Sequence, residues 1–116
     1  MKILLILNDP PYGSERCYNG LRLANALLKG EPVPEVTVFL MADSVACAKA
    51  NQKTPDGYYN LERMLKGFVR KATLLLCGTC MDARGVAENE LLAGARRSTM
   101  GELTELTFAA DKVLVF

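Results

Sequence analysis

Four short runs of almost uninterrupted apolar residues constrain what this chain can fold into: KILLILN at 2–8, EVTVFLM at 35–41, ATLLLC at 72–77 and KVLVF at 112–116. Runs of this length are too short for a buried helix, and an unbroken apolar strand is one covered on both faces, as in a parallel sheet. EVTVFLM also alternates and is β-branched, which favours the pleated conformation. The segments between the runs carry a different period. Leu21, Ala24, Leu27 and Leu28 recur at the spacing of one helix face, as do Leu61, Met64, Leu65 and Phe68. Strands alternating with helices imply right-handed βαβ crossovers and a mainly parallel sheet with helices on both faces. After Cys80 the pattern weakens into a short helix and a brief strand near GARRS, giving roughly five strands in one α/β domain.

Local signals place the helices. Ser14, after the NDPPYGSE break, is set to cap a helix from Glu15 to about Lys29, with Gly30 as its stop. ADSVACAKAN begins with an Asp-Ser signal for another short helix, and NQKTPDGYYN is a loop with a Pro-Asp-Gly turn. NLERMLKGFVRK is helical, and TMGELTELTFAADK is a helix capped by Thr99, with Glu102 three residues on to complete a capping box.

Composition narrows the function. The 116 residues make a single domain, 1–116, and half of them are hydrophobic, an apolar excess that predicts burial against further copies of the chain, with YYNLERML and the loop before it as the contact. A net charge of +1 leaves no electrostatic footprint for nucleic acid, because binding phosphates needs clustered Lys and Arg. No apolar stretch approaches the roughly 20 residues of a membrane span, and ILLIL lacks the flanks of a signal peptide. A cytoplasmic protein with free thiols rather than disulfides is therefore expected of the four cysteines. No cofactor is implied.

In a parallel α/β sheet, ligands bind beyond the carboxyl ends of the strands. That edge receives NDPPYGSE, MADS, CGTC and RRST. Cys77 ends a leucine run just before a Gly-Thr turn, where backbone N–H groups and Arg84 would lower its pKa and favour a thiolate. It reads equally as a small buried hydrophobe closing the run. Cys80 completes a C-x-x-C, but no convincing long helix follows, as a thioredoxin-type pair requires. With no histidine in the chain, a zinc site would have to recruit Cys17 and Cys47 or a second copy, so no metal is expected. Cys17 and Cys47 themselves read as packing residues. Catalysis of the Ser-His or Cys-His kind fails on inventory. The Tyr12-Gly13-Ser14 turn is either a plain turn or an anion cradle at the start of the first helix.

NDPPYGSE, FLMADSV, NQKTPDGYYN, CGTCMDARG and the closing ADKVLVF, in this order and at this spacing, resemble the DsrE/DsrF family, in particular its YchN-like branch. The resemblance spans essentially the whole chain. It implies a three-layer α/β/α fold, assembly as a homotrimer or homohexamer, and a role in sulfur relay, with donor and acceptor proteins as partners. Cys77 is implied as the cysteine that accepts persulfide sulfur. Cys80 matches a second cysteine of the YchN-like branch, and Tyr12, Gly13, Ser14, Arg84 and Gly85 match recurring positions around the thiol. The expected function is thus a sulfur carrier working through Cys77. The alternative is an oligomeric small-ligand or anion-binding module without covalent chemistry.

Overall fold

The chain forms a five-stranded sheet in the order β4-β3-β2-β1-β5, and every neighbouring pair is parallel. The computed structural model describes all 116 residues. β1 (Lys2–Leu7), β2 (Glu35–Leu40), β3 (Thr73–Cys77), β4 (Ala95–Ser98) and β5 (Lys112–Val115) coincide with the apolar runs and the brief GARRS strand. α1 (Arg16–Leu27), α2 (Leu61–Phe68), α3 (Gly78–Ala83) and α4 (Met100–Ala109) lie between them, with 3-10 turns at Ala42–Ala48 and Glu88–Glu90.

The order of strands decides which face each helix covers. From β1 to β4 the chain steps across the sheet in one direction, so right-handed crossovers put α1, α2 and α3 on the same face. α4 then carries the chain back past β1 to β5, and the reversed direction puts it on the opposite face. Side-chain alternation divides the core accordingly. Leu5, Leu7, Val38, Leu40, Leu74 and Leu76 pack with α1 and α2 in a cluster of 21 buried residues. Leu4, Phe39, Leu75 and Cys77 meet Leu103 of α4 in a second cluster of only five. Each fully buried Leu or Phe contributes about 1.5–3 kcal/mol, so the first layer carries most of the stability.

The structure revises three local expectations. α1 begins at Arg16 with Glu15 as its N-cap and no side-chain cap; the Ser14 hydroxyl, one residue earlier, donates to Asp9 Oδ2 at 2.8 Å and accepts from the Arg16 N–H at 3.4 Å. ADSVACAKAN tightens into a 3-10 turn, because Ser44 Oγ lies 2.7 Å from the Leu7 carbonyl oxygen and 2.5 Å from that of Met41, pulling the segment down onto the strand end. The capping box at α4 is half formed. Thr99 Oγ1 accepts from Glu102 N–H at 3.1 Å, but the Glu102 carboxylate turns to Arg96, at 3.0 and 2.8 Å, and to Ser98.

The apolar side chains of α2 are also not an open surface: Leu61, Leu65 and Phe68 are wholly buried in the core. Tyr58 of the YYNLERML segment is 70% exposed, and further exposed apolar side chains lie on the thin α4 side and at β5, where Phe108 is 86% exposed, Val115 65% and Met100 59%.

Candidate functional site at the carboxyl edge

β3 feeds α3 on one face of the sheet, and its neighbour β4 feeds α4 on the other. The carboxyl ends of these two strands therefore form the topological switch point, where an open α/β sheet leaves a crevice. The residues in register there are Cys77 and Ser98. Neither position is an accident of loop packing; both follow from the strand order.

Cys77 is the N-cap of α3, and its Sγ accepts from the Cys80 N–H at 3.4 Å. It is 6% exposed and packs in the smaller core layer, whereas Cys80 is half-buried and borders both layers. The expectation of a lowered thiol pKa is not met. Burial pushes the Cys77 thiol up, and the neighbouring Cys80 thiol adds to this, outweighing the N–H groups of Cys80 and Thr79. Burial thus favours the protonated form of Cys77.

The charged groups around the pair are arranged differently from the sequence reading. Arg84 ion-pairs with Asp43 through Nε at 2.8 Å and donates to the Cys80 carbonyl at 3.1 Å, so it ties α3 to the 3-10 turn after β2. Gly85, at φ 63°, is the left-handed residue ending α3. Its N–H donates to the Asp82 carbonyl at 3.2 Å, and Val86 N–H to that of Met81 at 3.0 Å, a Schellman motif.

The groups that the sequence did not single out come from RRST. Arg97 grips Asp82 with two hydrogen bonds of 2.7 and 2.8 Å and lies across Gly78, where a Cβ would stand only 2.7 Å from its Nε. Ser98 is buried and bonded to Glu102. The Arg96 guanidinium and then the Ser98 hydroxyl hold the Glu102 carboxyl down at about 2. RRST was visible as a strand end, but only the order of strands makes it the neighbour of CGTC.

Tyr12, Gly13 and Ser14 do not meet the cysteine pair within the subunit. Tyr12 packs with the larger core layer, on the face of the sheet opposite to Cys77, and its hydroxyl is engaged by Gln52 and by Leu61 N–H. Cys17 and Cys47 are fully buried. Cys17 donates to the Asp9 carbonyl at 3.0 Å, and contact with Cys17 together with burial pushes the Cys47 thiol far up. No three His, Cys, Asp or Glu side chains converge to hold a metal ion, and no helix is long and apolar enough to cross a membrane.

The sequence model of the DsrE/DsrF-like family matches residues 1–116. The chain belongs to that family. It is 40% identical over 116 residues to protein YchN of Escherichia coli K12, covering 99% of this chain and 98% of that protein. A protein of Methanocaldococcus jannaschii is 37% identical over 117 residues, covering all of both chains. The crystal structure of YchN superposes with a TM-score of 0.95 over 100% of this chain and 99% of the other. A protein of Methanobacterium thermoautotrophicum shares the fold at a TM-score of 0.76 and 12% identity, covering 99% of this chain and 98% of its own. As a member of the DsrE/DsrF-like family, the chain has the α/β architecture expected from its pattern, and the five-stranded sheet with helices on both faces bears that out.

Proposed function

We propose that this DsrE/DsrF-like protein is a sulfur carrier in which Cys77 accepts and passes on sulfane sulfur. The observation that carries this reading is a thiol at the switch point of the sheet with a second thiol three residues away. The Cys77 thiolate attacks the outer sulfur of a donor persulfide. A new S–S bond forms on Cys77, the donor's S–S bond breaks, and the donor cysteine leaves as a thiolate. No outside oxidant is consumed, because the sulfur arrives already oxidised. Transfer onward repeats the step with an acceptor thiolate. Cys80 offers a second exit: its thiolate attacks Cys77 Sγ, expels hydrosulfide and leaves a Cys77–Cys80 disulfide, which an external dithiol must then reduce.

The raised pKa of Cys77 fits a carrier that is inert until docked, since the thiolate is the nucleophile. Donor and acceptor proteins are its partners in this reading. Assembly into a trimer or hexamer would cover the exposed Phe108, Val115 and Met100.

The test is intact mass and peptide mapping after exposure to a persulfide donor and alkylation, with Cys77→Ser and Cys80→Ser alongside. One added sulfur mapped to Cys77, absent in Cys77→Ser and longer-lived in Cys80→Ser, is the expected result. A protein that gains no sulfur, or gains it equally in Cys77→Ser, would overturn the reading.

A further inference from the structure

The Tyr12-Gly13-Ser14 turn lies on the wrong face of the sheet to serve Cys77, yet it borders a cavity of its own. A cleft of about 550 Å³ separates this turn from the loop after the first 3-10 segment and is lined by Tyr12, Gly13, Lys53, Thr54, Tyr58 and Tyr59. That volume is within the roughly 300–1,000 Å³ of small-molecule sites.

Its walls are fixed. Tyr12 donates to Gln52 Oε1 at 2.5 Å and accepts from Leu61 N–H at 3.1 Å. Gln52 is itself held, its N–H bonded to the buried Glu62 carboxylate at 2.8 Å. The Tyr12 and Tyr59 rings stack with centroids 5.6 Å apart, and outside the cleft Tyr59 stacks on Tyr18 at 4.2 Å, with Arg22 5.5 Å over the Tyr18 ring. Gly13, at φ +97°, has nothing within 4 Å of where a Cβ would stand, so the floor of the cleft is open backbone.

Its chemistry is unspent. Lys53 is the only charged residue lining the cleft and makes no ion pair with any carboxylate. The hydroxyls of the lining residues Thr54, Tyr58 and Tyr59 make no hydrogen bond within the protein and are open to solvent. Burial, and then Glu15, Tyr12 and Tyr18, push the Tyr59 phenol up, so it stays an O–H donor at neutral pH. Glu15 and Asp56 are near in sequence to the lining residues but do not line the cleft. The ring edges of a tyrosine stack beside one ammonium and several hydroxyls are complementary to the face of a ring that carries negative charge.

We propose that this cleft binds a planar aromatic molecule bearing an anionic group, its ring against the edge of the Tyr12–Tyr59 stack and its phosphate or carboxylate on Lys53. The site is independent of the sulfur chemistry and on the other side of the sheet.

The test titrates the full-length protein with adenosine monophosphate, 4-hydroxybenzoate, adenosine and inorganic phosphate, followed by calorimetry and by amide chemical shifts. Adenosine monophosphate or 4-hydroxybenzoate should saturate and move the amides of Gly13, Thr54, Tyr58 and Tyr59, and whichever binds tighter identifies a phosphate or a carboxylate ligand. Lys53→Gln should weaken that ligand about ten-fold and leave the weaker binding of adenosine unchanged. Tyr59→Leu should weaken it by at least as much. Because Tyr59 also packs, Tyr58→Ala, at a side chain 70% exposed, supplies a variant that does not threaten the fold and should weaken binding several-fold. Cys77→Ser should bind like the parent protein. No saturation by either charged ring at millimolar concentration, affinity unchanged in Lys53→Gln, or binding lost in Cys77→Ser would each overturn the proposal.

Discussion

Cys77 and Ser98 face each other in register at the carboxyl ends of β3 and β4, the two adjacent strands whose helices depart to opposite faces of the sheet. This pairing gives the thiol two unlike surroundings. On one side is the α3 backbone with Cys80; on the other is a buried hydroxyl already committed to Glu102.

Native-state alkylation should discriminate between the two thiols of the site. The half-buried Cys80 is expected to react first, and the buried Cys77 slowly. Since burial raises the Cys77 pKa, its rate should keep climbing through and beyond the ordinary thiol value near 8.5. Time-resolved peptide mapping across pH measures both. Rapid modification of Cys77 at neutral pH would contradict the buried geometry.

Acid stability should depend on Glu102. Its carboxyl lies at about 2 in the folded protein, below the roughly 4.3 of an unfolded glutamate. A depressed carboxylate stabilises the fold above its unfolded pKa, and the contribution disappears as pH falls from about 4.5 towards 2. Glu102 is partly exposed, so its share is on the order of 1 kcal/mol after solvent screening. Urea unfolding of Glu102→Gln should show that loss at pH 7 and a flatter decline between pH 5 and 3.

Three glycine-to-alanine substitutions should differ in sign. At Gly67, exposed in α2 with open space around it, alanine should stabilise by about 0.5–1 kcal/mol. At Gly85, whose φ is +63°, it should cost about 1–2 kcal/mol. At Gly20 a Cβ would stand 2.7 Å from Leu7 Cδ2, where α1 crosses β1, and overpacking should cost about 1–3 kcal/mol. Denaturant midpoints at constant m-value test all three.

Assembly should depend on the α4 side. Phe108→Glu is expected to shift the light-scattering mass towards the monomer while leaving the helical spectrum intact, since Phe108 is 86% exposed in the subunit. A monomeric parent protein would remove the assembly, and an unaltered mass in the variant would place the contact elsewhere.

The apolar runs were enough to read four of the five strands and the parallel sheet, because burial on both faces leaves a continuous pattern in β1, β2 and β3, whereas β4 carries two exposed arginines and showed only as a brief strand near GARRS. Thr99 and Asn60 act as helix caps through local hydrogen bonds, and Thr99 was legible for that reason. Ser14 misled by one residue, because the helix starts at Arg16 with Glu15 in the N-cap position, and the Ser14 hydroxyl oxygen accepts only a long 3.4 Å bond from the Arg16 N–H. CGTC and PYGSE were correctly sent to one edge of the sheet, but their layers were not distinguished.

What the sequence determined by itself was the alternation of strand and helix, and with it a thiol at the ligand edge. Tertiary structure alone decided the neighbours. Strand order is set by long-range packing that no local period encodes, and it brought RRST, not the tyrosine turn, beside Cys77. Arg84 was likewise committed to Asp43, 41 residues away in the chain. The thiol pKa was decided the same way: the start of α3 is written in CGTC, whereas the desolvation that raises Cys77 comes from side chains such as Leu103 and Phe39 that only the folded sheet brings together.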